Sequence, residues 1–216
     1  MILAIDTTSE FGSIALCEGS ETVAELLLHS PEGFGHILFG QIERLLSRAG
    51  IDVNRIDCFA ATSGPGSFTG VRVGLTAAKG LAEATGKRVV AVSNLQALAA
   101  CGGARLRATV LDARRGEVYG AVYDQDLNAV LPEVVMKFPA WIQTLPAGDL
   151  EFISTDFAPF RPFVNDEIPV VNAPRAIAAA VGSIAGKRFE AGLASDPAEV
   201  DANYVRRSDA ELFWKE

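Results

Sequence analysis

Short runs of consecutive apolar residues alternate along this chain with longer stretches whose apolar positions recur every three or four residues. The first kind reads as buried strand and the second as amphipathic helix. Ile2–Ile5, Gly12–Cys17 and Thr22–Leu28 form a three-strand meander. A helix over 34–49 follows, with Phe34, Leu38, Ile42, Leu45 and Ala49 on one face. Phe39 and Leu46 widen that stripe on one side and Ile37 on the other, beyond what one sheet can cover. The excess, at Phe39, Ile42 and Leu46, is expected to meet a partner chain. His36 lies on the wetter side, as a surface or interface group. A fourth strand ends at Cys58–Ala61, a second helix runs from about Phe68 to Ala84, and a fifth strand spans Arg88–Val92. Together these make a β-β-β-α-β-α-β half, closed by a short helix over 94–100.

Between the fourth strand and the second helix lies Thr62-Ser63-Gly64-Pro65-Gly66-Ser67, a loop with two glycines and a turn-setting proline. Ser67 or Thr69 can cap the helix. Inside it, Gly70, Gly74 and Ala78 recur at i, i+4 spacing and leave one face almost bare. Glycine costs about 1 kcal/mol against alanine in a helix interior, so a bare face implies very close packing. Helix–helix contact and a phosphate cradle at the helix start both suit the pattern. It is neither a Walker loop nor GxGxxG.

The pattern starts over after Cys101-Gly102-Gly103, which reads as a hinge and sets expected domains of 1–101 and 102–216. Strands at Leu106–Leu111, Glu117–Tyr123 and Val130–Val135 precede a short helix over 139–145. Brief strands follow at Glu151–Ser154 and Ile168–Val171, around an irregular stretch over 156–167. An alanine-rich helix covers 173–191, and a polar tail from Asp196 is expected to pack back on the first lobe. Apolar strand, Asp112, turn, strand repeats the order around Asp6, which suggests a duplicated fold with a degenerate second copy.

Composition narrows the function. In 216 residues, 49% hydrophobic content supports a full core, and a formal charge of −8 disfavours gripping nucleic acid unaided. Three widely spaced cysteines without CxxC suit reduced thiols in the cytoplasm. No apolar run reaches transmembrane length. Two histidines, with no HExxH or GxSxG, offer no evident metal or hydrolase centre and leave a metalloprotease without ligands.

A meander whose first strand ends in Asp is how RNase H-like and actin-like ATPase (ASKHA) domains begin. In those folds the Asp organises a metal or water and the following hydroxyls face phosphate. Asp6, Thr7 and Thr8, with Asp112 and Arg114 in the repeat, are candidate nucleotide-binding residues; Arg114 and Arg115 equally suit contact with a partner carboxylate, or solvated turn positions paired with Glu117. Local turn satisfaction is the simpler alternative for Asp6 and Thr7. A stand-alone actin-like or sugar-kinase-like ATPase or phosphotransferase is the corresponding functional alternative.

MILAIDTTSEFGSIAL, SGPGSFTGVRVGLTAAKGLA, VVAVSNLQALA and LDARRGEVY occur in the order found in the bacterial TsaB (YeaZ) family, which the chain resembles over about its first 120 residues. Tyr204-Val205-Arg206 is similar to that family's terminal Pro-x-Tyr-Leu-Arg, with Ala202 in place of proline. The resemblance implies a duplicated ASKHA fold and a non-catalytic subunit of the complex that makes threonylcarbamoyladenosine in tRNA. Its implied partners are the catalytic paralogue TsaD, which transfers the threonylcarbamoyl group from threonylcarbamoyl-AMP to adenosine, and the small ATPase TsaE. A homodimer is implied where TsaD is absent, and contact with tRNA only indirectly. ATP or ADP would sit at most at an interface with partner subunits. TsaD carries a metal-binding His-x-x-x-His where this chain has Asn94 and Leu98. The implied interface comprises His36, Phe39, Ile42 and Leu46 of the first long helix and Gly70, Arg72, Gly74 and Ala78 of the second, with Arg72 as a polar anchor.

Overall fold

Alternating side chains of β1 (Ile2–Asp6) decide what covers each face of its sheet. Leu3 and Ile5 point into a core with Leu38, Ile42 and Leu45 of α1 (Leu38–Ala49) and Val71, Leu75 and Ala78 of α2 (Phe68–Thr85). On the opposite face, Ala4 and Ile2 lie beneath Gly182 and Gly186 of the helix Ala178–Glu190. Covered on both sides, β1 is buried along its whole length, so it reads as an unbroken apolar run rather than an alternating one.

The computed structural model describes residues 1–19 and 21–206. In the first sheet, β2 (Phe11–Glu18) and β3 (Glu21–His29) pair antiparallel beside β1, while β4 (Cys58–Thr62) and β5 (Arg88–Val92) run parallel to it. The order is β3-β2-β1-β4-β5. α3 (Asn94–Ala99) leads to the second sheet, made of β6 (Leu106–Arg114), β7 (Glu117–Tyr123), β8 (Ala129–Lys137), β9 (Leu150–Ser154) and β10 (Val170–Asn172). Its order, β8-β7-β6-β9-β10, repeats the first strand for strand, with the same pattern of antiparallel and parallel neighbours. The fold is thus a duplicated α/β one. The copy is degenerate in its helices: α4 (Phe138–Trp141) is one turn, and the β9–β10 connection carries only a 3-10 turn over Arg161–Phe163. Phe138, Trp141, Phe152, Phe157 and Phe160 fill the second core instead. Gly120 leaves the indole of Trp141 its place, since a Cβ there would overlap the ring.

The expected division into 1–101 and 102–216 is corrected by the packing. One compact unit comprises residues 1–97 and 174–202, the other residues 98–173 and 203–206. The helix Ala178–Glu190, α5, belongs to the first unit because its partners are there. Ser13 Oγ on β2 accepts from the amides of Ile177 and Ala178 at 3.1 and 3.0 Å, and Glu25 on β3 accepts from Ala179 at 2.8 Å. Three amides that a helix start leaves open are thereby satisfied by the sheet. Asp196–Ala202 stays with this unit, where Ser195 bridges Val89 and the Val200 carbonyl accepts from Lys79.

Gly102 is not a hinge. A Cβ there would overlap Glu151 and Ile153, and Glu151 Oε1 accepts from the amides of Gly103 and Ala104 at 2.6 and 2.9 Å. That glycine serves close packing around a buried carboxylate. α1 and α5 begin four and five residues later than expected, at Leu38 and Ala178. The thiols of Cys17 and Cys58 are buried, and desolvation with the nearby Asp57 charge pushes Cys58 up to about 12. Neither is poised as a nucleophile.

Candidate functional site

The end of β1 and the start of α2 are pressed together by the small residues between them. Ser67 caps α2, its hydroxyl accepting from the Gly70 amide at 3.3 Å. The Ser67 amide donates to the Thr8 carbonyl at 2.7 Å, and Thr7 Oγ1 donates to the Gly70 carbonyl at 2.7 Å. A Cβ on Gly66 would stand 2.7 Å from Thr8 O, one on Gly74 2.7 Å from Thr7 Oγ1, and one on Gly70 would overlap the Thr7 carbonyl. The bare helix face foreseen as a partner surface is therefore occupied by this chain's own β1 turn. Gly70, Gly74 and Ala78 are corrected from interface to internal packing.

At the heart of this contact is Asp6, 2% exposed. Its Oδ1 accepts from Thr8 N at 3.1 Å, Thr8 Oγ1 at 2.6 Å and Thr62 Oγ1 at 2.8 Å. Asn94 at the start of α3 donates to Thr8 Oγ1, while its Oδ1 accepts from Gly64 N at 3.0 Å. Burial raises the Asp6 pKa above the usual carboxylate range, outweighing the hydrogen bonds from Thr8 and Thr62 that lower it. A carboxyl in this state clamps the ends of β1 and β4 together. Leu98, in the other position where the resemblance places a histidine, is buried. Among the described residues no three His, Cys, Asp or Glu side chains converge as a metal-binding group.

Thr7 also lines a cleft of about 530 Å³ with Ser9, His29, Ser30, Ser67 and Thr69. In the repeat, Asp112 is exposed and accepts from the Arg114 amide at 2.7 Å, as a turn-holding Asx group. Asp6 and Asp112 hold corresponding places in the two topologies but not corresponding surroundings.

The outward faces of α1 and α2 differ from expectation. Ile42 and Leu46 are buried in the first core with Leu38 and Leu45, because i, i+4, i+7 and i+8 form one stripe facing the sheet. They are corrected from partner contacts to core. His36 remains exposed with Nε2 3.9 Å from Glu32, and Phe39 is 57% exposed on α1. On α2, Phe68 is 43% exposed and the Arg72 guanidinium stacks 3.9 Å above its ring. Phe68 is the residue sequence reasoning passed over; a phenylalanine just after a cap, ahead of the apolar stripe, was the available signal.

Two five-stranded sheets of one topology, the first with its acidic end sealed by its own hydroxyls, define a protein of the duplicated RNase H-like, actin-like ATPase class. The family model for TsaD, tRNA N6-adenosine threonylcarbamoyltransferase, matches residues 34–196. The tRNA threonylcarbamoyladenosine biosynthesis protein TsaB of Bacillus subtilis is 29% identical over 100% of this chain and 98% of that protein. TsaB of Escherichia coli is 38% identical over 60% of this chain and 57% of its own length. The structure of YeaZ from Pseudomonas aeruginosa superposes with a TM-score of 0.82 at 27% identity, covering 94% of this chain and 98% of that one. The chain belongs to the TsaD family, and within it to the TsaB (YeaZ) proteins.

Proposed function

We propose that this chain is a non-catalytic subunit in the biosynthesis of threonylcarbamoyladenosine in tRNA, working in the cytoplasm by holding a TsaD-type catalytic paralogue. The observation that carries the reading is the state of Asp6: buried, accepting three hydrogen bonds and tied through Thr8 to the Asn94 amide. A carboxyl whose Oδ1 already takes three hydrogen bonds, and whose charged form burial disfavours, is a weaker cation ligand than an open carboxylate. What the chain offers outward is the exposed face of α1 and α2, with Phe39, Phe68 and Arg72, aromatic and arginine anchors of the kind interfaces favour. The same face would pair two copies when the paralogue is absent, and a TsaE-type ATPase would join the assembled complex. The net charge of −8 leaves most of the tRNA-binding surface to the partner.

Deleting the gene and analysing tRNA nucleosides tests the function. Threonylcarbamoyladenosine should fall, and an undiminished level would refute it. Phe39→Asp tests the surface: pairing with the TsaD-type protein should weaken roughly thirtyfold, about 2 kcal/mol, while the melting temperature stays within about 2 °C. Sedimentation of the mixed proteins reads this out, and an unshifted complex would remove Phe39 from the interface. The cleft beside Thr7 and the start of α2 is the feature favouring the alternative, a stand-alone ATPase or phosphotransferase. Calorimetric titration of the isolated chain with ATP and magnesium, showing tight binding and turnover, would select it.

A further inference from the structure

We propose that an apolar cleft in the second unit, between its two shortened connections, is a docking groove for an amphipathic helix with basic flanks, carried by another protein. In the first unit the β3–β4 and β4–β5 connections supply α1 and α2, helices of 12 and 18 residues that close one face of the sheet. Their counterparts are much reduced. The β8–β9 connection keeps the four-residue α4 with a 3-10 turn, and the β9–β10 connection a 3-10 turn alone. The room those helices would take is only partly refilled. A cleft of about 410 Å³ is lined by Leu150 and Phe152 of β9, by Ile142 and Leu145 of one connection and by Val164 and Ile168 of the other. Phe152 is buried, whereas the other five side chains are only half-buried. Phe163 also lines the cleft, 53% exposed, with its ring 6.0 Å from that of Phe138 in the second core.

The repeat indicates the form of the occupant and the lips of the cleft its charge. Helices complete this layer in the first unit, so the piece missing from the second is a helix presenting an apolar stripe. Such a stripe enters a groove through residues at i, i+3, i+4 and i+7. Asp149, between the lining residues Gly148 and Leu150, and Glu167, between Asn165 and Ile168, put one exposed acidic residue on each connection. Asp149 accepts from the Arg105 backbone amide at 3.2 Å and Glu167 from the Asn165 side-chain amide at 3.1 Å. Neither carboxylate has a salt-bridge partner among the described residues. Asp166 is paired with Arg161 at 2.8 Å and adds no open charge. An apolar cleft with an acid on each lip is complementary to a helix whose apolar stripe is flanked by Lys or Arg. A small apolar ligand would leave both lips unmatched, and a second copy of this chain, at −8, would bring net repulsion. The inference goes beyond the proposed function, since Phe39, Phe68 and Arg72 belong to the first unit.

The probe is a fluorescently labelled synthetic helix of leucine and lysine, about 18 residues long, with its leucines at i, i+3, i+4 and i+7. It is titrated with the full chain by anisotropy, beside a peptide of the same pattern in which glutamate replaces lysine. The lysine peptide should bind with a micromolar Kd and the glutamate peptide roughly tenfold more weakly. Amide chemical-shift changes on adding the lysine peptide should centre on residues 142–150 and 163–168. Phe163→Ser should weaken binding roughly tenfold. Asp149→Asn with Glu167→Gln keeps both acceptor oxygens, so its melting temperature should stay within about 2 °C of the wild type. In that variant the two peptides should bind within about threefold of each other. Equal binding of both peptides by the wild type would overturn the assignment, as would no saturable binding of either. Shift changes centred on α1 and α2 would do the same. So would dimerisation of the chain that Phe163→Ser abolishes, by giving the cleft to a second copy. None of these bears on the proposed function, which stands or falls with the nucleoside level in the deletion strain.

Discussion

Gly70→Ala should lower stability by about 3 kcal/mol, at the upper end of what overpacking costs, and the melting temperature by about 10 °C. Helix propensity alone argues the reverse, since alanine is better than glycine inside a helix by about 1 kcal/mol. The deciding fact is where the methyl group would go. It would overlap the carbonyl of Thr7, a backbone atom of a buried strand end, which cannot swing aside as a flexible side chain can. Gly80 in the same helix supplies the control, with nothing within 4 Å of its Cβ position. Gly80→Ala should raise stability by about 1 kcal/mol. Thermal denaturation of the two variants separates the effects, and a Gly70→Ala protein as stable as wild type would mean that α2 does not sit against β1.

Asp6→Ala should cost about 3 kcal/mol or more in urea denaturation, because Thr8 N, Thr8 Oγ1 and Thr62 Oγ1 lose their shared acceptor in a buried place. Asp6→Asn keeps an acceptor oxygen there and should be milder. The two also differ in pH dependence. Burial raises the Asp6 pKa in the folded chain, so the fold binds this proton more tightly than the unfolded chain does. The stability it brings is fully present below the ordinary value of about 3.9 and is lost as pH rises through the raised value. Wild type should therefore lose stability relative to Asp6→Asn on going upward from about pH 4. A constant difference across that range would show that Asp6 is ionised at no cost in the fold.

Both substitutions concern the same contact, in which α2 and the β1 turn share one set of small and hydroxyl residues. The strand ending in Asp and the helix beginning at the capped loop remain in place here. What occupies the position between them is the chain's own Thr8 and Asn94. The outward sides of α1 and α2 carry the exposed Phe39 and Phe68, while their inward sides are committed to the sheet.

Local pattern was enough to establish the strands and the capped start of α2, because each depends on residues close in the chain. The recurrence of strand, Asp, turn and strand held in part, since β6 runs on through Asp112 to Arg114. The need for close approach at Gly70 and Gly74 was legible too, since two glycines on one helix face have few other uses. The object approached was not, because Thr7 lies 63 residues from Gly70 and no periodicity links them. For the same reason Ile42 and Leu46 could be recognised as apolar but not assigned a neighbour, and only the core shared with β1 and α2 did so. The unit to which α5 belongs depended on Ser13 accepting from an amide 165 residues away. Sequence determined which residues had to be buried, capped or closely packed; tertiary structure decided against what, since burial is a property of a side chain and contact is a property of two.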